Sequence, residues 1–228
     1  MVSFLTVISL WVGILQGGFD WVSFLMVRRM SAQGKTTRMD ARILYQHQDG
    51  KMVTHLSEPT EVFILNNREG ELEVYNPEKN SVFKTVNYDY SSQNNTFYYF
   101  LGQSPNMGLE AVGYSLGEST IDDGFLVSKW LPPKKLKAEI SYVELVTNGD
   151  HPVFMGFVDD EEVYFKKIYF YDFESLRGIT FPMSITEIDY LEEDSIITKT
   201  TFREFQFNDP VDREILDFEV PKNASLVK

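Results

Sequence analysis

The sequence contains no cysteine. That absence excludes disulfides, thiolate metal sites, cysteine nucleophiles and lipid-modified cysteines, while leaving the redox compartment open. Histidine is scarce as well, with 3 in 228 residues, so a metal centre or general base built on imidazole has few places to form. Cations are in deficit. Against 34 Asp and Glu stand 21 Lys and Arg, for a formal net charge of -13 and a pI near 4.7. A surface so biased repels phosphate backbones and anionic membranes, which argues against a nucleic-acid partner. No glycine-rich phosphate loop, fixed-period repeat or low-complexity tract is present. Aromatic residues are plentiful instead, with 18 Phe, 12 Tyr and 3 Trp, types that suit half-buried pleated surfaces.

Residues 1–27 carry a single charge, Asp20, and stand apart from the acidic remainder. Residues 1–16 read as an export signal or membrane segment, although no Lys or Arg precedes the apolar core Val2–Leu15 and no A-x-A site follows it. A continuous anchor ending at Arg28 and Arg29 is the alternative, interrupted by Gly17, Gly18 and Asp20. An amphipathic first helix is expected from about Phe19 to Gln33, opening a single domain over residues 17–228.

After Lys35 the period changes to two. Glu71-Leu72-Glu73-Val74-Tyr75 alternates polar and apolar residues, and similar runs at 41–48, 51–56, 61–66, 81–88, 124–131, 137–147, 152–158, 162–172, 179–190 and 195–207 bring the count to about eleven strands. Asn66-Asn67-Arg68-Glu69-Gly70, Asn76-Pro77-Glu78-Lys79-Asn80 and Asn148-Gly149-Asp150 supply hairpin turns. The alternation lapses over Ser91–Leu116, where Phe97, Phe100 and Leu101 at i, i+3 and i+4 predict a short helix near 92–103 with one apolar stripe. Such a stripe needs a surface to cover, and the concave face of a curved sheet is the obvious one.

Gly113-Tyr114-Ser115-Leu116-Gly117 matches G-x-S-x-G, the turn that presents a serine nucleophile in α/β-hydrolases. The context fails. No buried strand leads in, no helix leads out, and only His151 lies downstream of Ser115, so a plain turn is the better reading and a serine esterase the distant alternative. His47 and His55 flank the Asp49-Gly50 turn without a third ligand, and Asp159-Asp160-Glu161-Glu162 lacks the ligand spacing of a calcium loop and reads as a solvated hairpin tip. In Tyr164-Phe165-Lys166-Lys167-Ile168-Tyr169 aromatic and basic residues interleave, which reads as a strand with aromatic core contacts.

Glu58–Pro77, a proline-marked strand followed by a glycine turn and Tyr75-Asn76-Pro77, resembles a segment of LolA-like outer-membrane lipoprotein carriers. Asp217-Phe218-Glu219-Val220-Pro221-Lys222-Asn223-Ala224 is similar to that family's final Phe-x-Val-Pro-x-x-Ala strand, and Ile179–Ile188 to a strand of related lipoprotein-sorting proteins. The resemblance departs from the family at Lys51–Ser57, where an Arg-Phe-Arg-type strand has no counterpart. It implies a mainly β fold, an incomplete antiparallel β-barrel covered by a few helices. It also implies a monomeric periplasmic carrier without catalytic residues or cofactors, which holds lipoprotein acyl chains or a similar lipid and moves them from an inner-membrane donor toward an outer-membrane acceptor. An envelope lipid-sensing or interaction domain is the alternative. On this reading the apolar cavity is lined by Val62, Ile64, Leu72, Val74, Phe97, Phe100, Leu101, Val127, Trp130, Ile140 and Tyr142. Whether the concave face is hollow or packed stays open at this level.

Overall fold

A computed structural model describes residues 18–227 apart from 103, 105, 138, 193, 211 and 212. The leader expected over residues 1–16 lies outside the described residues. Local turn chemistry makes the first hairpin: β1 (Trp21–Ala32) and β2 (Lys35–Gln46) are joined by Gln33 and Gly34, with φ of 49° and 69°. Two positive φ values in a two-residue loop give the primed turn whose twist matches that of the flanking strands. Further antiparallel neighbours follow as β3 (Met52–Glu58), β4 (Val62–Asn66), β5 (Glu71–Asn76) and β6 (Ser81–Val86). A connection containing α1 (Thr96–Leu101) leads to β7 (Ser115–Asp122). The second half is another meander, β8 (Phe125–Leu131), β9 (Tyr142–Asn148), β10 (His151–Val158), β11 (Tyr164–Leu176), β12 (Ile179–Tyr190) and β13 (Ser195–Phe207). The chain closes with α2 (Arg213–Leu216) and β14 (Ser225–Val227).

Among the described residues, fourteen strands form one sheet in the order β14-β6-β5-β4-β3-β2-β1-β13-β12-β11-β10-β9-β8-β7. It is open rather than closed into a barrel, and antiparallel except where β14 runs parallel to β6. The expected incomplete barrel is present.

Two expectations are corrected. The helix expected over 19–33 is strand β1, the seam between the two meanders, paired with β2 on one side and β13 on the other. Trp21, Val22, Ser23 and Phe24 are all buried, so both faces of this strand are covered and its sequence loses the alternation that marks a strand with one wet face. The strand β7, absent from the eleven runs expected, is exposed at every position and so has no apolar face to reveal it.

The topology forces one long crossing. If the end of the sheet carrying Gln46, Asn66 and Val86 is called the top, β6 finishes at the top near one edge while β7 starts at the bottom of the opposite edge. Residues 87–114 must therefore traverse the whole sheet. They do so over one face, called the inner face, where Phe97, Phe100, Met107, Leu109 and Tyr114 join a core of Val22, Phe24, Ile43, Tyr45, Trp130, Val143, Leu145, Met155, Phe170, Phe181, Ile185 and Phe202. Each fully buried phenylalanine in such a core contributes about 1.5–3 kcal/mol by leaving water. On the opposite face, the back, Leu216 packs on Trp21 and Leu44, and Phe218 stacks on Phe63 at 4.1 Å.

Candidate functional site: the inner face and the segment that crosses it

The segment begins on polar anchors at the top. Ser91 Oγ donates to the Arg68 carbonyl at 2.7 Å, Ser92 Oγ to the Gly50 carbonyl at 2.6 Å, and Asn66 Nδ2 to the Tyr90 carbonyl at 2.8 Å. Beyond Asn95 the character changes. Among the described residues, the hydrogen bonds of residues 96–114 stay inside the segment, as from Gly102 N to Tyr98 O at 2.8 Å and Tyr114 N to Leu109 O at 3.0 Å. This stretch is held to the sheet by apolar contact.

Six residues make α1 about 9 Å long, too short to persist on intrinsic propensity. Tertiary packing holds it. Phe97 meets Phe24 and Tyr45 with ring centroids 5.4 and 5.9 Å apart, on the β1–β2 side. One turn on, Phe100 meets Phe170 and Phe181 at 5.2 and 5.9 Å, on the β11–β12 side. Two side chains of one short helix thus bridge both meanders.

Of the residues expected to line a cavity, Phe97, Phe100 and Trp130 are buried in this core, and Leu101 and Ile140 pack half-buried against it. Val62, Ile64, Leu72 and Val74 share the inner face, because the register sets Ile64 opposite Thr54 and Val74, and Thr54 opposite Ile43. They lie outside the main cluster as a half-buried apolar margin on β4 and β5. Val127 and Tyr142 are corrections. Trp130 pairs with Val143 and Val127 with Val146, so odd spacings put Val127 on the back, and Lys129 sits over the Tyr142 ring at 4.6 Å on that same side. Sequence reading missed Phe24, Phe181, Phe202 and Phe205. The alternation Ile179, Phe181, Met183, Ile185 signals Phe181, whereas Phe24 is hidden inside the two-sided burial of β1.

Polar groups rim this apolar field. At the top, the Tyr45 hydroxyl and Arg68 Nε are buried without hydrogen-bond partners among the described residues. Burial and neighbouring Tyr98 raise the Tyr45 pKa, and the Arg68 guanidinium opposes that shift. Toward the bottom of the inner face, Lys166 Nζ lies 2.8 Å from Asp189 and 3.2 Å from Glu187, and Glu187 also reaches Arg28 at 3.8 Å. Burial pulls the Lys166 pKa down, but its two carboxylate partners outweigh burial and hold it above the ordinary lysine value. A cavity of about 580 Å³ at the top has a mixed lining, with Leu65, Leu72 and Val86 beside Lys51, Arg68, Glu71, Glu73 and Lys84, and of the expected cavity residues it includes Leu72. The middle of the inner face is packed, with the crossing segment as its filling.

The other sequence motifs do not assemble a catalytic or metal site. Ser115 starts exposed edge strand β7 at the bottom, whereas His151 starts β10 at the top, three strands away, beside Asp150 and Phe173. Strand spacing and rise put them on the order of 20 Å apart. His55 pairs with Glu61 at 2.9 Å and stacks on Phe63, while His47 packs on Phe19. Among the described residues no three metal-ligating side chains converge. Asp159 folds its own hairpin tip, its carboxylate accepting from the Glu161 and Val163 amides at 3.0 and 2.9 Å.

This architecture has solved counterparts. A LolA superfamily protein from Nitrosomonas europaea superposes with a TM-score of 0.57 over 86% of this chain and 90% of its own, at 14% identity. A DUF1329 family protein from Desulfovibrio piger gives 0.60 over 88% and 91%, also at 14% identity. The chain has a LolA-like fold. A third neighbour, a domain described as an outer membrane lipoprotein-sorting protein domain from Vibrio parahaemolyticus, gives 0.58 at 11% identity over 88% of this chain and 93% of its own. No protein-family model matches the sequence, and no curated protein matches it significantly. Among the described residues no helix is long and apolar enough to cross a membrane.

Proposed function

We propose that this protein is a periplasmic, non-enzymatic carrier that holds the acyl chains of a lipoprotein, or a similar lipid, against the inner face of its sheet. The chains occupy the place that residues 96–114 take in the unloaded molecule. The observation that carries this reading is the nature of that segment's attachment, which is apolar contact without hydrogen bonds to the sheet among the described residues. Exchanging it for an acyl chain replaces apolar contact by apolar contact and strands no polar group on the sheet. Releasing the buried Phe97, Phe100, Met107, Leu109 and Tyr114 costs about 1.5–3 kcal/mol each, about 8–15 kcal/mol together, and about ten to twenty buried methylenes at about 0.8 kcal/mol each, the length of one or two acyl chains, offset it. The half-buried margin of Val62, Ile64, Leu72 and Val74 gives an incoming chain its first contacts. An inner-membrane donor and an outer-membrane acceptor are the partners such a cycle requires.

Native mass spectrometry of the full chain with a triacylated lipopeptide and its deacylated control tests the reading. The expected result is a one-to-one complex with the acylated form alone. A folded protein that binds neither form would sink it. The packed middle of the inner face favours a second reading, an envelope sensing or interaction domain that carries no ligand. A stable complex with another envelope protein, formed without lipid, supports that alternative.

A further inference from the structure

Three strands of the sheet line up a row of cations on its back. On the back of the sheet, Arg29 stands directly opposite Arg38 of β2 and Lys199 of β13, three cations in one row across three strands. Their side chains point away from the inner face, since Thr198 and Thr200 on either side of Lys199 are buried while Arg29, Arg38 and Lys199 are exposed. Arg203 lies on the same face, opposite Leu25. Asp40 sits among these guanidiniums, bridged to Arg38 at 2.6 Å, and Arg38, Arg203 and Arg29 hold its pKa below the usual range against the opposing effect of burial, while Glu58 opposite Asp40 and Glu204 on Arg42 are the other carboxylates at this margin. Like charges set directly opposite across strands destabilise a sheet, so this row is kept at a cost to the isolated molecule.

The row continues into tyrosines. Lys199 covers the Tyr171 ring at 5.5 Å, and Lys167 covers Tyr164 at 4.7 Å and Tyr190 at 5.4 Å. Tyr169 and Tyr190 remain 38% and 42% exposed. The C-terminal tail, which covers Trp21, Leu44 and Phe63, stops short of this region. A broad, open sheet face with cations and half-exposed tyrosines suits an extended anionic surface better than a small enclosed anion. Tyrosine rings settle at the headgroup level of a bilayer, and lysine and arginine are drawn to anionic headgroups.

We propose that the back of the sheet, centred on Arg29, Arg38 and Lys199, docks the protein on a bilayer rich in anionic phospholipid. The net charge of -13 opposes this at a distance. At physiological ionic strength the Debye length is about 8 Å, so the local row decides the contact once the back faces the membrane. Docked this way, the crossing segment faces away from the bilayer and stays free to exchange with cargo. The docking surface does not depend on the carrier reading, and vesicle binding and lipopeptide binding are separate measurements.

Co-sedimentation of the full chain with phosphatidylglycerol vesicles and with phosphatidylcholine vesicles tests it, using two variants of equal charge change. Arg29→Glu with Lys199→Glu reverses the row, and Lys134→Glu with Lys135→Glu reverses two exposed cations elsewhere. Binding selective for phosphatidylglycerol, weakened by added salt, reduced about thirtyfold or more in the first variant and kept in the second, is the expected result. Far-ultraviolet circular dichroism of both variants excludes unfolding as the cause. Where Arg29→Glu with Lys199→Glu fails to fold, Arg29→Gln with Lys199→Gln carries the same comparison. Equal binding to both vesicle types assigns the affinity to the apolar leader and overturns the proposal. So does equal weakening in both variants, which makes net charge the cause, or binding to a single-stranded oligonucleotide without any to vesicles.

Discussion

Phe24 packs among three other rings of the core. It has no exposed surface and meets Phe97 at 5.4 Å, Phe202 at 5.7 Å and Phe205 at 4.8 Å. Truncating it leaves a cavity that rings held on two different elements, α1 and β13, cannot all close. Phe24→Ala is therefore expected to cost about 3–5 kcal/mol, measured by denaturant unfolding. Gly108 is sensitive for a different reason. Its φ is +76°, and a Cβ there would lie 2.3 Å from the Tyr99 ring, whereas at Gly124, with φ +86°, nothing lies within 4 Å. Gly124→Ala is expected to cost about 1 kcal/mol from the backbone alone. Gly108→Ala must also displace Tyr99, and the same unfolding measurement should show the larger loss, about 2–4 kcal/mol.

At the scale of elements, the crossing segment is the part poised to move, and the absence of cysteine makes a direct test clean. Asn95 Nδ2 and Met52 Sδ touch at 4.0 Å, just before α1. The double variant Met52→Cys, Asn95→Cys, linked by a short bis-maleimide that spans the gap between these positions, is expected to bind triacylated lipopeptide at least about tenfold more weakly than the unlinked variant, because closing the start of the segment keeps α1 seated. Unchanged affinity on linking, followed by native mass spectrometry, would mean that loading does not need the segment to leave. The strands around it were legible to very different degrees. On β9, burial of Val143, Leu145 and Thr147 on one face writes an alternation along the strand, and Asn66–Gly70 announces the turn between β4 and β5. On β1, burial on both faces erases the pattern, and on β7 exposure of both faces does the same.

For the whole molecule, buried phenols set the response to alkali. Burial raises the pKa of Tyr45, Tyr99, Tyr114 and Tyr164, and at Tyr164 the hydrogen bond to Glu144, 2.7 Å long, adds to burial. Unfolded tyrosines release their protons near pH 10, while these four keep theirs in the fold. Above that pH the unfolded state binds fewer protons, so stability should be intact below about pH 10 and fall as pH rises through it. Denaturant midpoints at about pH 9 and about pH 11 check the sign, and Tyr164→Phe should reduce the drop. A midpoint unchanged across that interval would show that these hydroxyls ionise freely in the fold.

The sequence by itself determined what depends on near neighbours along the chain. It set the period of the strands with one wet face, the hairpin turns, the apolar stripe Phe97-Phe100-Leu101 and the acidic total charge. Tertiary structure decided what depends on register between distant strands. Val127 and Trp130 fall on opposite faces because their strand alternates through fixed partners on β9. The inner face is filled because β6 and β7 end at opposite edges of one sheet, so the chain between them has to cross it. Arg29 and Lys199, 170 positions apart, become neighbours only when β1 pairs with β13. Net charge is a sum that ignores position, whereas screened electrostatics acts over a few ångströms, so only the folded sheet could place a cationic surface on an acidic protein.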